Sequence, residues 1–159
     1  MMSKKVGRVG LGMDSHRMES GRPCHLGGVL FEDCPVGPLG HSDGDAVIHA
    51  LCDAILGAAG LDDLGTLFPD TDPKWKGVGS DLFLKETISL LDKENYRICN
   101  CDIVVICDEP KIGPFREKIR KSLAETMAIL PEQINVKGKT TEGSDTGRVE
   151  VTAIVLIER

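Results

Sequence analysis

Aromatic side chains are scarce in this chain: four Phe, one Trp and one Tyr, 4% of 159 residues. A core of that size must therefore be built mostly from aliphatic residues. A basic excess is missing too, with 19 Lys and Arg against 25 Asp and Glu and a net charge of −6. That balance argues against a general nucleic-acid binder, which needs clustered positive charge for phosphate contacts. It stays compatible with an anionic small substrate, because a bound metal can reverse the local field. No apolar run approaches the ~20 residues that span a bilayer, so no membrane partner is expected. Six cysteines are present, Cys24, Cys34, Cys52, Cys99, Cys101 and Cys107, but none are spaced as a zinc knuckle or redox pair. Cys99 and Cys101 alternate as two positions on one face of a strand would. Only MMSKK precedes the first strand-like segment, so no secretory leader is expected. Free thiols in a reducing cytoplasm follow as the expectation.

What is present is an ordinary apolar fraction, 41%, enough for one domain over 1–159. Val6 to Met13 reads as a strand, with Gly10 and Gly12 as unusual members. His25 to Phe31 reads as a second strand, and CPVGPLG as a loop. Ser42 is a candidate N-cap with Asp45 completing a capping box, and the helix runs to Ala59 with Gly60 as its stop. On that helix Val47, Leu51, Ala54, Ile55 and Ala58 form the core side, while Asp45, His49 and Asp53 recur every four residues on the other. Leu61 to Leu67 is a short helical piece. Ser80 is the expected cap of a helix to Glu94. Pro114 suits the first turn of a further helix whose buried stripe is Phe115, Ile119, Leu123 and Met127. Strands are expected at Ile98–Cys107, Ile134–Thr141 and Val149–Ile157. VTAIVLI in the last is apolar almost throughout, which implies burial on both faces, the second covered by another subunit. The fold class is therefore α+β, two-layer, with helices packed on one face of a mixed β-sheet.

Two groups of residues carry chemistry. Asp14 and His16 share one side of an extended segment, and His49 sits on the polar helix face. Two imidazoles and a carboxylate are a donor set for Zn2+ with one position left open. The same spacing is compatible with a solvated helix face and a chance D-x-H triplet. His41 is either a loop residue or a donor to a reacting phosphoryl oxygen; Asp45 is either a capping carboxylate or part of the site. Asp63, Asp70 and Asp72 are turn acids or substrate ligands. The second group is Lys111, Lys137, Lys139, Thr140, Thr141, Glu142 and Arg148. Lysines, hydroxyls and backbone donors suit phosphate, and Glu142 suits a harder cation such as Mg2+. A solvated basic sheet edge is the alternative.

The segments GMDSHR, GHSDGDAVIHALCDAILGAAGLDDLGTLFPDTDP, DEPKIGPF and KTTE followed by TGR occur in this order. Together they resemble the 2-C-methyl-D-erythritol 2,4-cyclodiphosphate synthases of non-mevalonate isoprenoid synthesis, from Val6 to the end of the chain. The resemblance implies Asp14, His16 and His49 as zinc ligands. It implies His41 and Thr140 as transition-state stabilisers. Substrate contacts are implied at Ser15 and Ser42, at Asp63, Leu64 and Gly65, and over Phe68, Pro69, Asp70, Thr71 and Asp72. A cytidine and diphosphate pocket is implied at Cys107, Asp108, Glu109, Pro110, Lys111, Ile112 and Gly113, with Lys139 to Glu142 and Arg148. Glu142 is placed beside Mg2+ or Mn2+. The implied assembly is a homotrimer with active sites between subunits, acting on a cytidine diphosphate derivative. Gly143-Ser144-Asp145 departs from the family's leucine-glycine-phenylalanine run, and VEVTA after Arg148 departs as well. A hydrophobic-ligand site on the trimer axis is therefore not carried over. A zinc phosphate-ester hydrolase and a non-catalytic metal-stabilised binding module are the competing functions.

Overall fold

The computed structural model describes residues 5–159. A five-stranded mixed sheet runs in the order β4-β1-β7-β5-β6. Its strands are β1 (Gly7–Ser20), β4 (Val36–Pro38), β5 (Arg97–Ile106), β6 (Ile134–Lys139) and β7 (Arg148–Glu158). All its pairings are antiparallel except β5 with β6. A separate hairpin joins β2 (His25–Leu26) to β3 (Val29–Leu30). The helices are α1 (Ala46–Ala59), α2 (Leu64–Leu67), α3 (Ser80–Lys93) and α4 (Arg116–Met127). A 3-10 turn at Gly113–Phe115 leads into α4. The two-layer α+β arrangement expected from the element order is what forms.

The first strand is longer than its apolar pattern suggests. It continues through Asp14 and His16 because β7 pairs with it residue by residue, from Gly7 opposite Glu158 to Arg17 opposite Arg148. Gly10 and Gly12 are explained by packing. A Cβ on Gly10 would lie 1.8 Å from the Ala54 carbonyl oxygen, and one on Gly12 would lie 1.8 Å from that of Ala50. Only glycine lets the α1 backbone come this close to the strand. This approach brings His49 beside Asp14 and His16.

Several boundaries differ from the sequence reading. Helix α1 begins three residues after the capping box would have it, and Asp45, not Ser42, is its N-cap. Asp45 is wholly buried rather than on an open acidic face. Its carboxylate accepts from the amides of Gly27 and Gly28, both at 2.8 Å, and of Ile48 at 3.1 Å. Those glycines have φ of +63° and +74°, so the expected single strand His25–Phe31 is a hairpin whose turn amides point at the helix cap. CPVGPLG contains the edge strand β4. Ser80 is the first residue of α3, with Gly79 as the cap. Cys99 and Cys101 do not share a face. Ile98 pairs with Ile157 and Asn100 with Leu156, so Cys99 is the extra residue of a bulge.

The inner face of β7 (Val149, Val151, Ala153, Val155, Ile157) is fully buried under the helices. The outer face is not covered by this chain. Leu156 lies opposite Val9 and Ile154 opposite Leu11, and with Met13 these side chains are exposed. The apolar run therefore reports two different surroundings rather than one core. No helix among the described residues is long and apolar enough to cross a membrane.

Candidate metal centre and its clefts

Alternation along β1 turns Asp14 and His16 toward α1, and sends Ser15 to the opposite face. His49, one turn into α1, completes the group. One ligand atom from each of the three lies within 4.8 Å of the others, the one such cluster found among the described residues. The Asp14 carboxylate is 2.8 Å from His16 Nε2 and 3.3 Å from His49 Nδ1. Each imidazole is also held on its far side. His16 Nδ1 donates to the Leu39 carbonyl at 2.9 Å, and His49 Nε2 lies 3.0 Å from Ser80 Oγ. Gly40 makes room for the first ring, since a Cβ there would meet His16 Nδ1 at 2.8 Å.

The charges are tuned by these contacts. Burial pushes the Asp14 carboxyl upward, but its bonds to His16 and His49 outweigh this and bring it down to about 2. The bond to Asp14 raises His16 above its ordinary value. The carboxylate therefore stays ionised between two basic nitrogens. Asp43 is likewise lowered: burial opposes ionisation, and bonds from the Ser80 hydroxyl and amide overcome it. Asp45 moves the other way, raised by complete burial despite three backbone donors.

A cleft of about 530 Å³ opens beside the cluster, lined by His16, His41, Ser42, His49, Leu64, Gly65, Phe68, Asp70, Trp75, Lys76, Gly77 and Phe83. The His41 side chain is 88% exposed and pairs with Asp70 at 3.2 Å. Phe68 is buried between Trp75 and Phe83, its ring centroid 4.8 and 5.6 Å from theirs. Asp63 caps α2 through the Thr66 amide. Thr71 is exposed, while Pro69 and Asp72 are half-buried; Asp72 accepts from the Lys74 amide at 2.9 Å.

The second group forms its own cleft, about 420 Å³, lined by Val36, Asp108, Glu109, Lys111, Thr140, Glu142, Gly143 and Thr146. The two clefts have no lining residue in common. His41 and Thr140 are thus not brought into one pocket by a single chain. Within the second group, Cys107 and Ile112 are buried. Cys107 is engaged with the Pro110 carbonyl and Ile112 is packed under Gly138. Neither lines either cleft. Asp108 is committed to the loop, accepting from the amides of Thr141 at 2.6 Å and Gly143 at 3.0 Å and from the Thr141 hydroxyl. Lys139 is exposed, and its carbonyl accepts from the Cys107 amide. Arg148 pairs with Glu150 at 3.2 Å and lines neither cleft.

Sequence reasoning did not place Asp43, Trp75 or Phe83 at the site, and it read Ser80 only as a helix cap. Asp43 had a signal, its place in HSDGD. Ser80 lies 31 residues from His49, and no local pattern joins them. Asp53 reads from the sequence only as a face residue; it accepts from the Leu64 amide at 2.8 Å and ties α2 to the helix that carries His49.

The YgbB family model matches residues 7–158. The chain belongs to the YgbB family. Relatives within it carry the name 2-C-methyl-D-erythritol 2,4-cyclodiphosphate synthase. One from Thermus thermophilus is 46% identical over 95% of this chain and 99% of its own length. A solved synthase of that name with bound CDP superposes with a TM-score of 0.90 at 45% identity, over 94% of this chain and 99% of the other. The IspF of Plasmodium falciparum, in a CDP complex, gives a TM-score of 0.84 at 38% identity, over 98% and 97% of the two chains. This YgbB chain thus shares both fold and sequence with proteins named as enzymes.

Proposed function

We propose that this chain is a cyclodiphosphate synthase, a phosphorus–oxygen lyase of the non-mevalonate isoprenoid pathway. Its substrate is 4-diphosphocytidyl-2-C-methyl-D-erythritol 2-phosphate, and its products are 2-C-methyl-D-erythritol 2,4-cyclodiphosphate and CMP. The observation that carries the proposal is the cluster of Asp14, His16 and His49 within 4.8 Å on a chain of this family. The donor set fits Zn2+: two imidazole nitrogens and one carboxylate leave the fourth tetrahedral position open, as in a catalytic site. Both imidazoles have the outer hydrogen-bond partners expected of metal ligands. When bound, the metal supplies Lewis-acid polarisation of a phosphate oxygen and a template for the substrate.

The remaining work belongs to the chain's own groups. The 2-phosphate attacks the β-phosphorus and CMP leaves, so no protein nucleophile is needed. A flexible polyanion must be folded until attacker and target meet, which is a matter of orientation and charge neutralisation. His41 and Thr140 donate to oxygens that gain charge. Leu64, Phe68, Trp75 and Phe83 offer the methyl-branched carbon skeleton an apolar wall. Lys111, Lys139 and the Thr140 hydroxyl take the cytidylyl diphosphate, on a loop whose Thr141 and Gly143 amides are held by Asp108. Glu142 joins no three-donor cluster among the described residues, so Mg2+ or Mn2+ there depends on substrate phosphates for further ligands.

The separation of the two clefts supports a shared site. In a homotrimer, the Thr140 cleft of one copy completes the metal cleft of its neighbour. The exposed face of Val9, Leu11, Met13, Ile154 and Leu156 supplies apolar surface for the contact. Six free cysteines agree with a reducing cytoplasm. The deciding experiment is incubation with the cytidylyl substrate, with and without chelator, followed by phosphorus NMR. A cyclic diphosphate and CMP, lost on chelation, are expected. A linear phosphate product would identify a hydrolase instead.

A further inference from the structure

The two imidazoles of the cluster are held in opposite senses. His16 turns Nε2 inward and gives its Nδ1 proton to a backbone carbonyl. His49 turns Nδ1 toward Asp14 and leaves Nε2 facing Ser80 Oγ at 3.0 Å. Ser80 is fully buried. Its hydroxyl donates to Asp43 Oδ1, and its amide donates to Asp43 Oδ2 at 3.0 Å. An ionised carboxylate only accepts, so the Ser80 proton belongs to Asp43 and the hydroxyl lone pairs remain for His49. The direction of the chain follows: His49 Nε2–H to Ser80, Ser80 O–H to Asp43.

We propose that Asp43 and Ser80 are positioning residues that hold His49 as its Nε2–H tautomer, with the Nδ1 lone pair aimed at the metal. This rests on reading Asp14, His16 and His49 as a zinc centre. A purely structural role for Ser80 fits the contacts less well. As the first residue of α3 its hydroxyl could cap that helix, yet it is spent between His49 and Asp43, and Asp43 is what accepts from the first amide of α3. A carboxylate behind a histidine raises the basicity of the ligand nitrogen and fixes the ring plane. Here the carboxylate acts through an intervening hydroxyl. The link also ties two elements together, because Asp43 precedes α1 and Ser80 opens α3.

The test uses zinc-loaded protein and the variants Ser80→Ala and Asp43→Asn. Zinc affinity is measured at one pH by competition with a chromophoric chelator. Both variants are expected to bind zinc roughly 10- to 100-fold more weakly. Ser80→Thr, which keeps the hydroxyl, is expected to recover most of that loss. Nitrogen-15 spectra of the zinc-loaded wild type are expected to show His49 metal-bound at Nδ1 and protonated at Nε2. Excess zinc is expected to restore kcat in Ser80→Ala with substrate KM unchanged, which repair of a merely misfolded site would not do. The metal-free variants are compared with metal-free wild type by thermal unfolding, and Ser80→Ala is the cleaner because Asp43 also accepts from the Asp45 amide. Wild-type zinc affinity in both variants, or His49 bound through Nε2, overturns the relay and leaves the three-ligand centre standing. Wild-type protein that binds zinc without His49 overturns both.

Discussion

The metal cleft and the Thr140 cleft are built in different ways. The metal cleft stands on regular structure: Asp14 and His16 on a paired strand, His49 on a helix whose N-cap is buried. Both imidazoles have a second partner behind them. The Thr140 cleft stands on a loop after β6, and its anchor is one carboxylate, Asp108. Preorganised ligands cost little to order when a cation binds, whereas a loop anchored at one point can adjust to a phosphate. The first cleft brings three candidate metal ligands together within one chain, and the second holds no such cluster among the described residues. The contrast supports a division of labour in which one cleft holds the reacting centre and the other delivers the nucleotide.

The sharpest way to break this contrast is to remove a ligand from the rigid side. His49→Ala is expected to abolish CMP release and zinc binding while the chain stays folded; full turnover would remove His49 from the mechanism. Next comes the scaffold under it. Asp45→Ala strands the buried amides of Gly27 and Ile48 and frees that of exposed Gly28 to water, and at about 1–3 kcal/mol for each buried unmet donor roughly 2–6 kcal/mol of stability is expected to go. Denaturant unfolding reads this directly. Gly12→Ala drives a methyl into the Ala50 carbonyl, and overpacking of this kind costs about 3 kcal/mol. For a chain this long that is a fall of roughly 6–12 °C in Tm, together with weaker zinc binding as α1 is pushed from β1. A stability effect without a zinc effect would separate helix docking from ligand placement.

The smallest effect is expected on the loop side. The Thr141 amide, with further help from its hydroxyl and the Gly143 amide, holds the Asp108 carboxyl below its ordinary 3.8. A carboxyl depressed in the folded chain stabilises it above the unfolded pKa, and that contribution fades as pH falls through the lower folded value. The anchor is therefore intact at neutral pH and released only below about pH 4. Amide shifts of Thr141 and Gly143 should follow that titration, and Asp108→Asn should flatten it. A midpoint above about pH 4 would contradict the assignment.

Much of the fold was legible because its signals are local. The periodicity from Val47 to Ala58 gives the core side of α1, and Gly60 ends the helix with a left-handed φ of 76°. Asp14 and His16 share a face simply because strands alternate. Other features escaped for a physical reason. Ser42 and Asp45 are both good caps by residue type; the choice fell to Asp45 because turn amides 17 and 18 residues away complete its shell. His25–Phe31 reads as one strand until Gly27 and Gly28 are seen to turn toward that carboxylate. The final strand reads as apolar on both faces; the helices bury one, and this chain leaves the other uncovered, since apolar residues look alike whatever lies above them.

By itself the sequence determined most of the element types, the paired donors on β1, the donor type at His49 and the family motifs, since each depends on neighbours within a turn or a strand step. Only the tertiary structure decided that α1 lies close enough to β1 to bring His49 to Asp14. It alone placed Ser80 and Asp43 behind that ring, and it alone put Thr140 in a different cleft from His41. Those relations depend on backbone distances between segments far apart in the chain, set by how closely glycine and alanine let a helix approach a strand, and no local pattern of side chains encodes them.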